Sequence, residues 1–465
     1  MRQQVGTNLP KVGSYNQNVV LDAIRSSGAT SRVELAERTG LTPQTISVIV
    51  RRLLTDGLVR EDGAQPSAGS SSGGGKPRTT LRVEPTAGYA VGLHFDPGAI
   101  AAVLVDLAGT VLVETRRAVH PSVRPEEAVA LMGRAVRKVV REARVPQRRM
   151  LGVGLACPGP IDQELGLVLY PPRLAGWDRV PLGAMLAENT GSRVTMDNDA
   201  TAAAIGERWS GVAKNIGNFI YIYMGTGIGG GLFLSNQVYR GPFRNAAEIG
   251  HITAAPDGPE CYCGNRGCLE AVACPAAMVA EARRLLAAAD VGRTDVGAAD
   301  VGAAADGGGT VDGGGRGTGT GSDAVGGALA EAYARDPESV DHEALCRAAA
   351  EGDQLARSVV DRVAGHLSDV AVSVTNVLDV ELLVLGGPAL GAVGGIYRDA
   401  VADALARRPI ARHVHRVPVS LSPAGGNAAA IGAASLVFHR AFAPQLTTLL
   451  SPAVPRQATS AAVSR

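Results

Sequence analysis

The sequence predicts an α/β protein with a winged helix-turn-helix at its N-terminus. Three observations carry this. Residues 14–62 divide into three short helices, the last two joined by Thr39-Gly40-Leu41-Thr42. From Tyr89 onward, apolar strand-like runs alternate with helical stretches, which argues an α/β domain or two similar ones. Residues 248–268 gather one imidazole and three thiols, a full ligand set for a metal.

The N-terminal elements follow from local chemistry. Val19, Val20, Ala23 and Ile24 repeat at helical spacing within Asn16–Ser27. Ser31 opens a second helix with Glu34 three residues on, a capping box, and Gly40 closes it. Thr42 caps a third helix that has Pro43 at its first position. Two such helices in succession read as helix-turn-helix. Gly57-Leu58-Val59-Arg60 leads into a strand, and Thr79–Val83 is its expected partner. Between them Gln65–Gly75 forms a flexible Gly/Ser tip followed by Lys76-Pro77-Arg78. In such a module the second helix enters the major groove. Its early residues here are Gln44, Thr45 and Ser47: Gln suits adenine and a Thr methyl suits thymine. Arg51 and Arg52 suit phosphates, and Lys76 and Arg78 on the wing could reach the minor groove or backbone.

Charge agrees with that module. Residues 1–85 hold eleven Lys and Arg against seven Asp and Glu, a net of +4, which leaves −3 for the rest of a chain of net +1. At 465 residues and 46% hydrophobic, the chain is globular and long enough for two to four domains. Six cysteines, three of them clustered, fit a reducing cytosol better than a disulfide scaffold, so a cytoplasmic protein is expected. The N-terminal MRQQVGTNLPK has no apolar core, and no apolar run is long enough for a membrane helix.

Further elements are read in order. Strands are expected at Tyr89–Leu93, Ala101–Asp106, Leu151–Leu155, Val194–Met196, Phe219–Met224 and Glu381–Leu385. Helices are expected at Pro125–Ala143, Ala200–Ser210, Glu343–Val377 and Gly426–Phe438. Residues 287–328 contain little apolar bulk and an imperfect DVGAADVGAAADGGG repeat, which predicts a disordered insertion. The tail after Ala443 is expected to be loose.

The chemistry lies at the junctions. His251, Cys261, Cys263 and Cys268 match a closed, structural zinc site, with Gly264 and Gly267 allowing sharp turns between the thiols. Glu248 and Glu270 flank that segment, so a bound metal would hold two carboxylates toward one pocket. The second ring nitrogen of His251 is left for a ligand or carboxylate. Asp197-Asn198-Asp199 follows a short strand; its carboxylate suits a proton from a sugar hydroxyl, although Asp and Asn are also ordinary helix caps. Gly225–Gly231 is a glycine-rich turn whose amides could cradle phosphate.

The ordered set ACPGP, DNDA, GTGIGGG, E-I-G-H, C-x-C-G-x-x-G-C-L-E and LGGP, behind a helix-turn-helix, resembles the repressor–ORF–kinase (ROK) family. The resemblance spans nearly the whole chain apart from 287–328 and the tail. It implies a two-lobed, actin-like (hexokinase-like) ATPase fold with a sugar between the lobes. It implies that Gly154, Pro158, Gly159, Asn198, Asp199, Glu248, His251 and Glu270 contact the sugar. It makes Asp199 the catalytic base in a kinase, and His251, Cys261, Cys263 and Cys268 the zinc ligands. Gly225, Thr226, Gly227, Gly229, Gly386 and Gly387 would lie on a phosphate or nucleotide side, vestigial in a regulator. The implied division is 1–85 for the DNA-binding domain and 86–205 for the first lobe, completed by about 420–442. Residues 206–419 form the second lobe with the zinc loop, and 443–465 the tail.

The family holds both kinases and regulators. Kinases open the first lobe with a D-x-G-G-T-K-like turn, where this chain has His94-Phe95-Asp96-Pro97-Gly98-Ala99. Pro97 removes an amide donor, Asp96 adds negative charge and no Lys remains, so ATP and Mg²⁺ are not expected as cofactors. The expected function is a sugar-responsive transcriptional regulator, acting as a homodimer or homotetramer on an inverted-repeat operator. The alternative is an ATP-dependent, glucokinase-like sugar kinase with an appended DNA-binding domain.

Overall fold

The computed structural model describes residues 9–65, 78–299 and 327–444. The chain opens with α1 (Leu9–Ser27), α2 (Arg32–Thr39) and α3 (Pro43–Thr55), then the antiparallel wing β1 (Val59–Gln65) and β2 (Arg78–Val83). The capping box is present: Ser31 and Glu34 satisfy each other's backbone N–H groups, and Gly40 ends α2 in the left-handed conformation. Thr42 accepts from the Thr45 N–H and Pro43 sits in the first turn of α3. Ile46, Ile49, Val50 and Leu53 line one face of α3 and join Val20, Ile24, Leu35, Val59 and Leu81 in a small core. Helix α1 begins at Leu9, earlier than its apolar periodicity indicates. The wing tip over 66–77, with Lys76, lies outside the described residues, as does the side chain of Arg78.

Two sheets of the same design follow. The first is built from β3 (Tyr89–Asp96), β4 (Ala99–Asp106), β5 (Val111–Ala118), helix α4 (Pro125–Ala143) and β6 (Met150–Cys157). The small pair β7 (Ile161–Asp162) and β8 (Leu167–Val168), α5 (Leu182–Thr190), β9 (Val194–Asn198) and α6 (Asp199–Trp209) complete it. The second contains β10 (Phe219–Met224), β11 (Ile228–Leu234), β12 (Gln237–Val238), α7 (Leu269–Ala273) and α8 (Pro275–Ala299). It continues through α9 (Ala328–Arg335), α10 (His342–Glu351), α11 (Gln354–Leu378), β13 (Leu382–Gly386), α12 (Gly394–Arg407), β14 (Val419–Leu421) and α13 (Ala428–Phe442).

Strand order is β5-β4-β3-β6-β9 in one sheet and β12-β11-β10-β13-β14 in the other. In each, three antiparallel strands are extended by two parallel ones. The same plan has therefore been used twice, and each sheet with its covering helices makes one lobe. Each plan ends in one helix, α6 or α13, and these two pack together between the sheets. They approach closely because Gly206 meets Gly432: a Cβ on Gly432 would lie 2.1 Å from the Ala202 carbonyl oxygen.

Several boundaries differ from those the sequence predicts. Gly225–Gly231 is not one turn, because Ile228–Leu234 is strand β11, paired antiparallel with β10. The helix expected over Glu343–Val377 is two, since Gly352 turns left-handed (φ 98°) and Asp353 caps a new start. The expected insertion begins too early: helix α8 runs on to Ala299, with 300–326 outside the described residues. The expected loose tail beyond Pro444 also lies outside them. Strand β5 carries no apolar run in the sequence because it is a polar edge, alternating half-buried and exposed positions over Val111–Arg116 and exposed beyond.

Candidate functional site

A cleft of about 460 Å³ opens between the lobes, within the range of about 300–1,000 Å³ usual for small-molecule pockets. Pro158 and Gly159 at the end of β6 line it, as do Asn198 and Asp199 at the β9–α6 junction. Glu248, His251 and Glu270 line the opposing side. Seven of the eight residues expected to contact sugar thus share one cavity. Gly154 does not belong to it. It sits in mid-strand, where a Cβ would fall 1.7 Å from the Ala433 carbonyl oxygen of α13, so it is a helix-packing glycine.

Each acidic group has a distinct environment. Asp197 is spent on structure: Oδ1 accepts from the Asn198 N–H and Oδ2 from Arg240 Nε (3.2 Å) and Nη2 (2.5 Å). Asn198 caps α6, its Oδ1 accepting from the Ala200 and Thr201 N–H groups at 2.9 and 3.4 Å. With the oxygen engaged, it offers Nδ2 donors. Asp199 accepts from the Ala200 N–H at 2.7 Å and otherwise faces the cleft. Desolvation, and then the charge of Asp96, push its carboxyl up to about 7. Burial likewise raises Glu248. Glu270 is buried, and its Oε2 accepts from the Ile228 N–H at 2.8 Å.

The thiol cluster adjoins the cleft, which His251 and Cys263 line. His251, Cys261, Cys263 and Cys268 bring their ligand atoms within 4.8 Å of one another. His251 Nδ1 lies 3.6 Å from Cys261 Sγ, and Cys263 Sγ lies 3.7 Å from Cys268 Sγ. Ligands bonded at about 2.0–2.3 Å in a tetrahedron stand roughly 3.3–3.8 Å apart, so the donors fit a four-coordinate metal. Gly264 and Gly267 both have positive φ, and a Cβ on Gly267 would fall 1.5 Å from the Ala255 carbonyl oxygen. The outer nitrogen of His251, expected from sequence to be left for a ligand or carboxylate, already has a neighbour within the protein. Its Nε2 lies 3.0 Å from the Tyr262 hydroxyl.

Of the residues expected on a phosphate side, Thr226, Gly227 and Gly229 line the cleft, whereas Gly225, Gly386 and Gly387 do not. Gly225 is folded against the Tyr223 ring and Gly387 against the Met224 backbone. Asp96-Pro97-Gly98-Ala99 is a two-residue hairpin between β3 and β4, with Gly98 at φ 110°. Asp96 Oδ1 accepts from the Thr226 hydroxyl at 2.8 Å, tying the two expected phosphate turns to each other. Burial raises Asp96 to about 6 and lowers His94 to about 4. No motif marks this Asp96–Thr226 link, nor Arg173, Tyr223, Asn245 and Tyr262 in the cleft wall.

On α3, Gln44, Ser47, Arg51 and Arg52 are exposed and Thr45 is half-buried. The Ser47 hydroxyl donates to the Pro43 carbonyl at 2.8 Å, and that of Thr45 pairs with Thr42 at 2.9 Å. Val48, overlooked in the sequence, is 64% exposed on the same face.

The DNA-binding module docks on the far end of α6. Arg25 of α1 is buried, with its guanidinium carbon 4.4 Å above the Trp209 ring. Its Nη1 donates to the carbonyls of Arg208 (3.1 Å) and Trp209. Asp22 accepts from both Arg25 and Arg208, the latter at 2.7 Å. Asn215 adds a bond to the Ser26 carbonyl at 3.3 Å, and Asn18 one to the Ala443 carbonyl at 3.2 Å. No helix among the described residues is long and apolar enough to cross a membrane.

Comparison with known proteins agrees with this architecture. The ROK family model matches residues 91–305 and 316–440, and the MarR family model matches residues 15–66. The chain is 34% identical over 268 residues to the xylose repressor of Bacillus subtilis, covering 58% of this chain and 68% of that protein. It is 31% identical over 288 residues to the glucokinase of Thermotoga maritima, covering 62% and 79%. A crystal structure of a ROK family transcriptional regulator, a homologue of the Escherichia coli MLC protein, superposes with a TM-score of 0.68 at 23% identity. That match covers 95% of this chain and 99% of the other. The chain belongs to the ROK family, in the branch that places a MarR-type DNA-binding domain ahead of the sugar-kinase fold.

Proposed function

We propose that this protein is a sugar-responsive transcriptional repressor whose operator affinity is set by sugar in the interlobe cleft. One observation carries the reading: helix α6 has its first residue, Asp199, in the cleft and its last two, Arg208 and Trp209, under the DNA-binding module. Eleven residues at about 1.5 Å each place those ends roughly 15 Å apart on one rigid rod. A sugar that engages Asp199 and Asn198 shifts the rod's start, and the Asp22–Arg25–Arg208 contacts feel the shift at its end. The protein acts as a homo-oligomer that sets two α3 helices on an inverted-repeat operator, and sugar releases it. The titration of operator affinity against a panel of hexoses and pentoses tests this. A loss of roughly 5–150-fold, the range of about 1–3 kcal/mol of coupling, supports it. Unchanged affinity in the presence of every sugar that binds rejects it.

The His251, Cys261, Cys263 and Cys268 cluster is assigned to a structural zinc ion, because its one nitrogen and three sulfur donors suit that metal. The ion would pin the loop that carries Glu248 and Glu270. The ROK lobes are assigned to 86–205 with about 420–442, and 206–419, as the motif order implies.

A second reading, a sugar kinase, is favoured by Asp199, whose raised carboxyl suits a general base. Against it, Asp96 occupies the Thr226 hydroxyl and no Lys stands in the β3–β4 turn. The repressor reading therefore expects no ADP release from Mg-ATP with any sugar that binds. Turnover abolished by Asp199→Ala would establish the kinase instead.

A further inference from the structure

The cleft carries a positive charge that no sequence motif accounts for. Among the described residues that line it, Arg173 is the only Lys or Arg, beside the carboxyls of Asp199, Glu248 and Glu270. Its loop, between β8 and α5, is held on both sides. Pro171 and Pro172 restrict the backbone before it. After it, Leu174 and Trp177 are buried, and Trp177 stacks on Phe95 at 4.7 Å. Leu174 N–H donates to the Pro171 carbonyl at 3.1 Å, and Trp177 N–H to that of Leu174 at 3.2 Å.

From this anchored loop the guanidinium crosses to the other lobe. Arg173 Nη2 lies 3.6 Å from Glu270 Oε1 and 3.8 Å from Cys274 Sγ. The first distance is beyond a direct hydrogen bond. Glu270 Oε2 is already taken by the Ile228 N–H, in a space that Gly227 leaves open, since a Cβ there would lie 2.4 Å from that oxygen. Glu270 thus has one oxygen to give to a ligand, and a set of N–H donors stands beside it.

We propose that Arg173 determines sugar specificity: with Glu270 Oε1 it forms a donor–acceptor pair that reads one hydroxyl of an uncharged aldose. This rests on the reading of the cleft as a sugar site. A hydroxyl both donates and accepts, so it can give its proton to Oε1 and accept from Nη2. A hydrogen in its place leaves guanidinium and carboxylate without that partner, which is the arrangement that rejects deoxy analogues most strongly. A carboxylate or phosphate on the sugar accepts only. It would gain Arg173 but face three acidic side chains, so uronic acids and sugar phosphates are selected against.

Calorimetric titration of the full chain tests this. The probes are D-glucose, D-xylose, N-acetyl-D-glucosamine, their monodeoxy derivatives and D-glucuronate. For the wild type, one monodeoxy derivative of the sugar that binds is expected to bind at least roughly tenfold more weakly, and D-glucuronate more weakly than D-glucose. Arg173→Met is expected to lose roughly tenfold in affinity for the parent sugar and most of the deoxy discrimination, with sugar-free operator binding intact. Arg173→Lys keeps charge without the planar pair of N–H groups and is expected to fall between them. If Arg173→Met fails to fold, the wild-type series and Arg173→Lys decide. Wild-type binding with Arg173→Met, or Arg173→Lys in its stead, unchanged in both affinity and discrimination overturns the role of Arg173 and leaves the sugar cleft standing. Tighter wild-type binding of D-glucuronate than of D-glucose does the same. No binding of any probe by the wild type overturns both.

Discussion

Asp199 and Arg208 stand at opposite ends of one eleven-residue helix, the first in the interlobe cleft and the second sharing Asp22 with the DNA-binding module. The single carboxylate of Asp22 serves two guanidinium groups, Arg25 and Arg208, in a buried setting. Such a knot resists partial loosening, because breaking one contact strands a buried charge. Asp22→Asn with Arg25→Gln and Arg208→Gln, which leaves no charge of the knot unpaired, is therefore expected to keep sugar affinity while the response of operator affinity to sugar shrinks to less than about twofold. Parallel calorimetry and fluorescence anisotropy check this; a wild-type response in the triple variant would remove α6 from the pathway.

Zinc loss is expected to weaken the cleft. Purified protein should contain one zinc per chain, and Cys263→Ser or chelation should lower thermal stability together with sugar affinity, the latter by roughly 10–100-fold. Emission spectrometry and thermal shift supply the readout. Protein free of metal that binds sugar with full affinity would contradict the assignment.

Protonation of Asp199 gives a pH signature. The folded-state carboxyl holds its proton up to about 7, whereas the unfolded chain loses it near 3.8. The folded state then binds more protons between those values, so this group's contribution to stability is lost as pH rises through about 7. Asp199→Asn should remove that decline. Melting temperatures of both proteins from pH 4 to pH 8, in about half-unit steps, compare the slopes; parallel curves would argue against it.

Gly154 separates packing from binding. A Cβ there meets the Ala433 carbonyl at 1.7 Å. Gly154→Ala is expected to cost about 1–3 kcal/mol of stability by overpacking, with the sugar affinity of the folded fraction close to wild type. Denaturant unfolding and calorimetry distinguish this from a sugar contact, which would show the reverse pattern.

On the DNA side, Arg51→Ala and Arg52→Ala should each reduce the salt slope of operator binding by roughly one without changing sequence preference. Gln44→Ala should cost about 1–3 kcal/mol on operator and relax specificity at one base pair. Anisotropy across a salt series measures both.

What the sequence made legible was local. The Ser31–Glu34 capping box, Pro43 at the start of α3, the spacing of Cys261, Cys263 and Cys268, and Asn198 at a strand–helix junction all declare themselves within a few residues. The pairs that join modules do not. Arg25 and Arg208 are 183 positions apart, and Asp96 and Thr226 are 130 apart. A side chain whose partner is chosen by tertiary packing leaves no periodicity or spacing to read. Arg173 is unmarked in the sequence for that reason, since Glu270 meets it only when the lobes face each other. The glycine-rich run misled in the opposite way: Gly229, Gly230 and Gly231 look like a loop but pair in β11, where Gly231 lets α6 approach.

The most direct test uses linkage. If sugar lowers operator affinity by some factor, saturating operator must lower sugar affinity by the same factor. Sugar titrations of the full chain with and without bound operator should differ by that shared ratio. Identical sugar affinities in the two titrations would contradict a repressor governed from its cleft.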